Sequence, residues 1–290
     1  MFSFNDITII IPSTIDRVSK NFIYQINNYV ENNLSVIISV PPGFDIKEIY
    51  KKGFSKDILI INSNKKGQVA QRQFAYSFSN RKLILQMDDD IYFDLDSLKG
   101  ILKIFNNLPE NSCLAPALKL YPKSKTYKSN FFIYIRSLLL YAKLLPKPGT
   151  ISLSSFPVPH DNELDINNTQ KVEWLPGGLS LIRKKHCIKD NYFNFKGKAY
   201  CEDLFSSYLL TQKKINLYLN NTFSYKTKID SYRFLSLNQF IKFLREDFKI
   251  RNHFRKTIKN PIPPFLLAYI YLIIAFLITK LIKSPKIKLN

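Results

Sequence analysis

The chain has 290 residues, 46% of them apolar and 14% aromatic, enough for one large α/β domain with an appendage and too apolar for a disordered tail. Lys and Arg outnumber Asp and Glu by 43 to 22, a net charge of +21, which leaves nucleic acid, an anionic membrane surface or phosphorylated substrates as partner classes, although scattered lysines are also what a plain solvated surface carries. Cys113, Cys187 and Cys201 show neither paired spacing nor a His cluster, which argues against a disulfide framework or a zinc site and for a reducing cytosol.

The segment Met1 to Asp6 has no basic region, and the apolar run Ile9 to Ile11 stops at Pro12, so no secretory leader is expected. Ile7 to Ile11, Ser35 to Val40, Asp57 to Ile61 and Lys82 to Met87 read as strands rich in β-branched residues, with helical spacing at Val18 to Val30 and Val69 to Phe78 between them. This alternation predicts right-handed βαβ units and a Rossmann-like, mostly parallel sheet with helices on both faces. The turn after Ile11 lacks the glycines of a dinucleotide fingerprint, and no Walker-type phosphate loop follows any strand, which excludes the common nucleotide oxidoreductases and phosphate-loop enzymes.

The fourth strand ends in Asp88, Asp89 and Asp90. Open α/β sheets place ligands at the carboxyl ends of their strands, and three adjacent carboxylates there call for a hard cation such as Mg²⁺ or Mn²⁺ shared with a substrate diphosphate. The competing reading is an acidic loop capping the next helix, since Asp94 and Asp96 continue the acidity toward Leu98 and Ile101.

Residues 120 to 170 mix Pro, Lys, Ser and Asn around one apolar helical stretch, Phe131 to Leu145, and are expected as an insertion over the sheet edge. Trp174 opens a new ordered run containing Gly177 and Gly178, and Glu202-Asp203 begins an apolar-periodic helix. Near the carboxyl end, residues 232 to 256 place aromatic and aliphatic side chains at helical spacing among basic ones, as in helices that lie on anionic lipid. Pro263 to Thr279 then contains no charge and has lysines and arginines on both sides. At ~1.5 Å per residue it reaches about 25 Å, short of a hydrocarbon core of ~30 Å, so a marginal span and a surface-lying helix both stay open.

These pieces in this order resemble the family-2 glycosyltransferases of the GT-A fold, bacterial inverting enzymes that use nucleotide-sugar donors. The likeness covers roughly residues 5 to 228. Ile7 to Arg17, with Pro12, Thr14 and Arg17, looks like the family's first strand and nucleotide-binding turn; Asn64 to Gln73, with Gly67 and Arg72, is similar to its glycine and arginine segment. Asp88-Asp89-Asp90 matches its DXD metal motif, and Glu202-Asp203 its acidic pair, whose aspartate is the catalytic base. Arg251-Asn252 before the apolar tail resembles a feature of members that act on lipid-linked acceptors. One departure is that Val36 to Gly43 has no carboxylate before Asp45, where the family usually contacts the base, so the resemblance leaves the nucleobase open among Ser39, Asp45 and Asp16.

The resemblance implies a GT-A catalytic domain at 1–230, a basic amphipathic linker at 231–260 and a membrane-associated helical tail at 261–290. It implies a metal-dependent inverting hexosyl or deoxyhexosyl transferase of bacterial surface polysaccharide synthesis at the cytoplasmic face of the inner membrane. Its acceptor is a saccharide or a polyprenyl-diphosphate-linked saccharide, and no nucleic acid is expected as a partner. The chemistry fits the residues: inversion needs a base for the acceptor hydroxyl and a cation for the leaving diphosphate, and oxygen anions suit both roles. Asp203 is the expected base, with Glu202 beside it, against plain capping of their helix. Asp90 is expected to ligate the metal directly and Asp88 to contact the metal, its water or the donor, with Asp89 also on the donor side. Arg17 and Arg72 are candidates for donor phosphate against surface salt bridges; Gly177, Gly178 and Trp174 are candidates for the acceptor against a turn and a core aromatic; Arg251 joins them from the tail. A haloacid-dehalogenase-like phosphatase and a basic non-enzymatic nucleic-acid or membrane binder are the alternatives.

Overall fold

The computed structural model describes residues 1–16, 18–121, 130–160, 169–190, 192–195, 199–228 and 236–283. The chain divides into two compact units, the first made of Met1–Lys123 with Asp161–Lys228 and the second of Ser124–His160 with Ile229–Asn290.

The first unit is a mixed α/β structure around an eight-stranded sheet. Its strands are β1 (Ile7–Pro12), β2 (Ser35–Val40), β3 (Leu59–Asn62), β4 (Leu83–Met87), β5 (Ser112–Tyr121), β6 (Thr169–Val172), β7 (Leu179–Arg183) and β8 (Asn216–Lys228), in the order β3-β2-β1-β4-β7-β5-β8-β6. The four strands expected from the sequence form a parallel block, with β1 at its centre and all six of its residues buried. Alternate residues point to opposite layers: Ile9, Ile11, Val36 and Ile38 join one apolar cluster, while Ile10, Ile37 and Ile84 join the other. Helices cover both faces. Among these, α1 (Lys20–Glu31) is capped by Ser19 and buries Phe22, Ile26 and Tyr29 at i, i+4 and i+7. Short α2 (Ile46–Tyr50) and then α3 (Gln68–Ala75) follow β2 and β3.

Beyond β4 the sheet changes direction, because β7 runs antiparallel to β4 with Leu179 opposite Met87. The turn before β7 therefore stands at the carboxyl end of β4, beside the acid triplet. The helix after that triplet, α4 (Leu95–Asn106), is capped by Asp94, whose carboxylate accepts from the Ser97 N–H at 2.8 Å. Capping thus belongs to Asp94, one turn further on, and the triplet lies outside the helix. In β8 three extra residues, Asn221 to Phe223, break the pairing with β5 at Pro116/Ala117, and the strand resumes with Ser224 and Tyr225. Such a bulge re-aims side chains; Tyr225 ends up buried in the core of the unit at 2% exposure.

The second unit is helical, built from α5 (Asn130–Tyr141), α7 (Leu237–Thr257) and α8 (Ile262–Lys283); α6 (Glu202–Gln212) belongs to the first. Within this unit the apolar stretch α5 packs with the carboxyl-terminal helix α8. Leu140 and Tyr141 of α5, with Phe156 and Val158, share one cluster with Phe265, Ala268, Tyr269 and Leu272 of α8. The physical reason is that α8 is apolar all round and offers the larger unpartnered surface, so burial of α5 against it removes apolar area from water on both.

Candidate active site

The acids gather at the carboxyl end of the parallel block, and Arg72 of α3 is the residue that gathers them. Its Nη1 donates to both oxygens of Glu202, at 3.1 and 3.0 Å, and its Nη2 donates to Asp88 Oδ1 at 2.8 Å. The guanidinium side chain is 6% exposed. Burial alone works against its charge, but the Glu202 and Asp88 carboxylates more than offset this and hold its pKa above the usual arginine range. Gly67, at φ 129°, starts α3 in a backbone conformation open to glycine, and Gln68 of its first turn donates to the same Asp88 oxygen at 2.8 Å.

Asp88 is thereby held through Oδ1 alone. Burial pushes its carboxyl up to about 7, against the pull of Arg72, and the nearby charges of Glu202 and Asp90 push the same way. One guanidinium faces several acids, an arrangement short of positive charge. Asp89 is tied elsewhere: Ser13 Oγ donates to its Oδ2 at 2.6 Å, just after Pro12 ends β1. Ile15 in this turn has φ 66°, a strained conformation for a β-branched residue, and its N–H is satisfied by Ser13 Oγ at 2.8 Å. Gln71 of α3 braces the turn by donating to the carbonyls of Ser13 and Ser39. Thr14 is half-buried in this turn, and Arg17 lies outside the described residues.

On the other side, α6 begins directly with Glu202 and Asp203, preceded by Cys201 in the left-handed region at φ 61°. Asp203 Oδ1 accepts from the Leu204 N–H at 3.0 Å, and Asp203 is half-buried. Phe205 is buried behind it and stacks on Tyr192 with centroids 5.4 Å apart, while the Tyr192 hydroxyl donates to the Glu202 carbonyl. The Gly177-Gly178 turn closes the gap between the two acid groups. The Asp88 N–H donates to the Gly178 carbonyl at 2.9 Å. A Cβ on Gly177 would lie 2.9 Å from Glu202 Oε1 and 3.4 Å from the Asp203 Cβ, and one on Gly178 would lie 2.8 Å from Ile91 Cδ1 and 3.2 Å from the Tyr225 hydroxyl. Both positions need glycine for this close approach. Trp174, half-buried, stands three residues before this turn.

The structure thus places Pro12, Thr14, Gly67, Arg72, Asp88, Asp89, Gly177, Gly178, Glu202 and Asp203 on the segments that meet at this strand end. Arg251 is in the second unit, where its guanidinium binds both oxygens of Asp247, at 2.9 and 3.1 Å, donates to the Ser155 carbonyl and lies over the Phe156 ring. Asp45, a candidate for the nucleobase, caps α2 through the Lys47 N–H; the Ser39 hydroxyl is buried with no hydrogen-bond partner among the described residues.

Two residues escaped the sequence. Gln68, inside the segment Asn64 to Gln73, has no role that its motif assigns, and Tyr225, which lies in no motif, is brought in from β8 by the bulge. Among the described residues its buried hydroxyl meets no partner in hydrogen-bonding geometry, and burial together with the charges of Asp88, Asp203 and Asp90 holds its pKa well above the ordinary phenol value, against a smaller downward pull from the Leu179 backbone.

Asp88 and Asp90 fit a hard cation by their chemistry: both are oxygen donors, they repel one another, and among the described residues the hydrogen bonds to Asp88 fall on Oδ1 and leave Oδ2 open. Among the described residues no three His, Cys, Asp or Glu side chains cluster as a complete protein cage. Mg²⁺ and Mn²⁺ seldom need one, since substrate phosphates and water complete their shells.

No family model matches the chain, and no curated protein matches it. Among solved structures it is similar to GalNAc-T7 crystallised with UDP, GalNAc and Mn²⁺, with a TM-score of 0.52 and 11% identity over 77% of this chain and 43% of that one. It is also similar to a mycobacterial protein, with a TM-score of 0.50 and 10% identity over 88% of this chain and 75% of that one. The chain spans less than half the length of the GalNAc-T7 chain. At these identities the likeness is one of fold, and the fold is the GT-A fold of glycosyltransferases, here with one long apolar helix near the carboxyl end.

Proposed function

We propose that the protein is a metal-dependent, inverting, family-2-like glycosyltransferase that moves a sugar from a nucleotide-sugar donor to a hydroxyl of a saccharide or polyprenyl-diphosphate-linked acceptor. The single observation that carries this is Arg72, which fixes the β4 acid Asp88 and the α6 acid Glu202 on one guanidinium and so sets Asp203 beside the triplet. The GT-A fold supports it, as does GalNAc-T7 of the same fold, which holds UDP and Mn²⁺.

In this reading Glu202, both of whose oxygens accept from Arg72, positions α6, and Asp203 beside it is the base. The acceptor O–H gives its proton to the Asp203 carboxylate while the acceptor oxygen bonds to the anomeric carbon. The bond from that carbon to the diphosphate breaks with its electron pair leaving on oxygen, and the configuration inverts. Aromatic burial behind α6 by Phe205 and Tyr192 lowers the local polarity, offsetting the acid-stabilising helix start. Asp88 and Asp90 would hold Mg²⁺ or Mn²⁺, whose charge would neutralise the departing diphosphate. Pro12, Thr14, Arg17, Gly67 and Asp89 are assigned to the nucleotide side and Gly177, Gly178 and Trp174 to the acceptor side; Arg251 is kept as an acceptor candidate of the second unit, where Asp247 holds its guanidinium. The Tyr225 hydroxyl, kept neutral by burial and by the acids it faces, is a hydrogen-bond donor in reserve for them.

Membrane association follows from the second unit, which carries 17 Lys and Arg against 3 Asp and Glu and so holds +14 of the chain's +21. We assign the protein to surface polysaccharide synthesis at the cytoplasmic face of a bacterial inner membrane. The test is a donor screen by mass spectrometry with lipid extract as acceptor, with and without Mn²⁺, joined to calorimetry of donor binding. Asp88→Asn and Asp90→Asn should each abolish metal-dependent donor binding with the fold retained. Undiminished binding by both, or no donor turned over, overturns the reading.

A further inference from the structure

We infer that α8 does not cross the membrane but lies in the plane of one leaflet as half of an α7–α8 hairpin, with its outward face in anionic lipid. By length and composition α8 qualifies as a span, since 19 residues from Ile262 to Lys280 have a mean hydropathy of 2.2. Its packing decides otherwise.

One stripe of α8 is committed to protein: Phe265, Ala268, Tyr269, Leu272 and Phe276 are buried. At about 100° per residue this stripe is roughly 100° wide. The opposite arc, about 160° wide by the same reckoning, exposes large apolar side chains including Leu266, Ile270, Ile273, Ile274, Leu277 and Ile278. The buried stripe is shared: Ala268 and Leu272, with Phe265 and Tyr269, cluster with Leu140 and Tyr141 of α5, while Phe265, Tyr269 and Phe276 meet α7. Phe240 stacks on Phe276 with centroids 3.7 Å apart, Phe248 packs on Tyr269 and Phe265 at 4.9 and 5.1 Å, and the Arg255 guanidinium lies 5.8 Å from the Phe265 centroid. The Tyr269 hydroxyl donates to buried Asp247 Oδ2 at 2.5 Å, and the same carboxylate is held by Arg251. The two helices are therefore antiparallel and pinned at their middle.

A partner that runs beside α8 must go where α8 goes. The solvent side of α7 carries exposed Lys242, Arg245, Lys249 and Lys256. If α8 spanned the bilayer, these four charges would be drawn through the hydrocarbon, where each is strongly unfavourable and where they have no bundle interior to face. Lying in the interface, the pair resolves the conflict: the α8 arc dips into the acyl chains while the basic side of α7 stays among headgroups and water. The charge of the unit, 17 basic side chains against 3 acidic, selects a surface of anionic lipid. The inference rests on the membrane association proposed above and is independent of the transferase chemistry.

The full-length protein tests this with single cysteines introduced by Pro261→Cys and Lys280→Cys, at the two exposed ends of α8; the native thiols are all buried. A membrane-impermeant maleimide is applied to spheroplasts and to inverted membranes of bacteria expressing each variant. Both ends should label in the same preparation and in only one. Labelling in opposite preparations overturns the in-plane placement. Ile270→Glu combined with Ile274→Glu, on the unpacked arc, should lower binding to phosphatidylglycerol-containing vesicles at least tenfold with the thermal midpoint in detergent unchanged. Unchanged vesicle binding removes the arc as the lipid face, and a wild-type chain that ignores every vesicle removes the membrane association itself, leaving donor turnover to judge the transferase separately.

Discussion

Arg72 and Glu202, 130 residues apart in the chain, meet with Nη1 at 3.1 and 3.0 Å from the two carboxylate oxygens, and the other arm of the same guanidinium holds Asp88 at 2.8 Å. Two acids from distant elements are thus set by one planar cation. Arg72→Lys keeps the charge but not the fork, so it should lose one of the two partners and lower turnover far more than it lowers stability. Arg72→Ala should cost about 3–5 kcal/mol, because it leaves buried carboxylates uncompensated. Urea denaturation and donor turnover on both variants check this.

Asp203→Asn keeps the size and the oxygen that accepts from the Leu204 N–H, so stability should change by about 1 kcal/mol or less. Turnover should fall by about 10² to 10⁴ with donor affinity little changed, the signature of a lost general base. Glu202→Gln should be milder in single-turnover rate and worse in stability, since it weakens the Arg72 pair. A fully active Asp203→Asn enzyme leaves the acceptor proton without this partner.

Gly178→Ala should destabilise by about 1–3 kcal/mol through overpacking against Ile91 and Tyr225. Its carbonyl anchors the Asp88 N–H, so a shifted turn should also weaken donor binding. Adding Ile91→Val, which removes the closest clashing carbon, should restore part of both; a double variant no better than the single one points to Tyr225 as the obstacle.

Tyr225→Phe should leave stability unchanged or raise it, because a buried hydroxyl without a partner is unfavourable by about 1–3 kcal/mol. Turnover should drop severalfold if the hydroxyl serves the acids it faces. Thermal midpoints and steady-state kinetics separate these effects, and equal turnover would make Tyr225 a packing residue.

The α4 cap gives a pH signature outside the acid triplet. Burial pushes the Asp94 carboxyl up, but the Ser97 N–H and hydroxyl outweigh this and lower its pKa below the usual 3.8. A group whose folded pKa is depressed contributes stability above its unfolded value and loses it as pH falls through the folded one. Asp94→Ala should therefore cost about 1 kcal/mol at pH 7, and the difference from wild type should shrink below about pH 4, measured by denaturant melts at both ends.

The sequence by itself determined the parallel block and the acid motifs. The β-branched runs of β1 to β4 are continuous and apolar because both faces of those strands are buried, and a local pattern of that kind survives without tertiary context. The triplet could be placed at a strand end for the same reason. What the tertiary structure decided were relations between elements far apart in the chain. That Arg72 bridges Glu202 and Asp88 depends on α3 and α6 converging beside β4, and Tyr225 reaches the acids because a bulge in β8 re-aims it. Capping by Asp94 and not by the triplet turned on a helix start at Leu95, five residues after Asp90. The tail shows the contrast most sharply: hydropathy marks α8 as long and apolar, but its residues read the same whether water, lipid or another helix lies beside them. The contacts of Phe265, Tyr269 and Phe276 with α7, and of Phe265, Ala268, Tyr269 and Leu272 with α5, divide the helix into a protein face and an outward one.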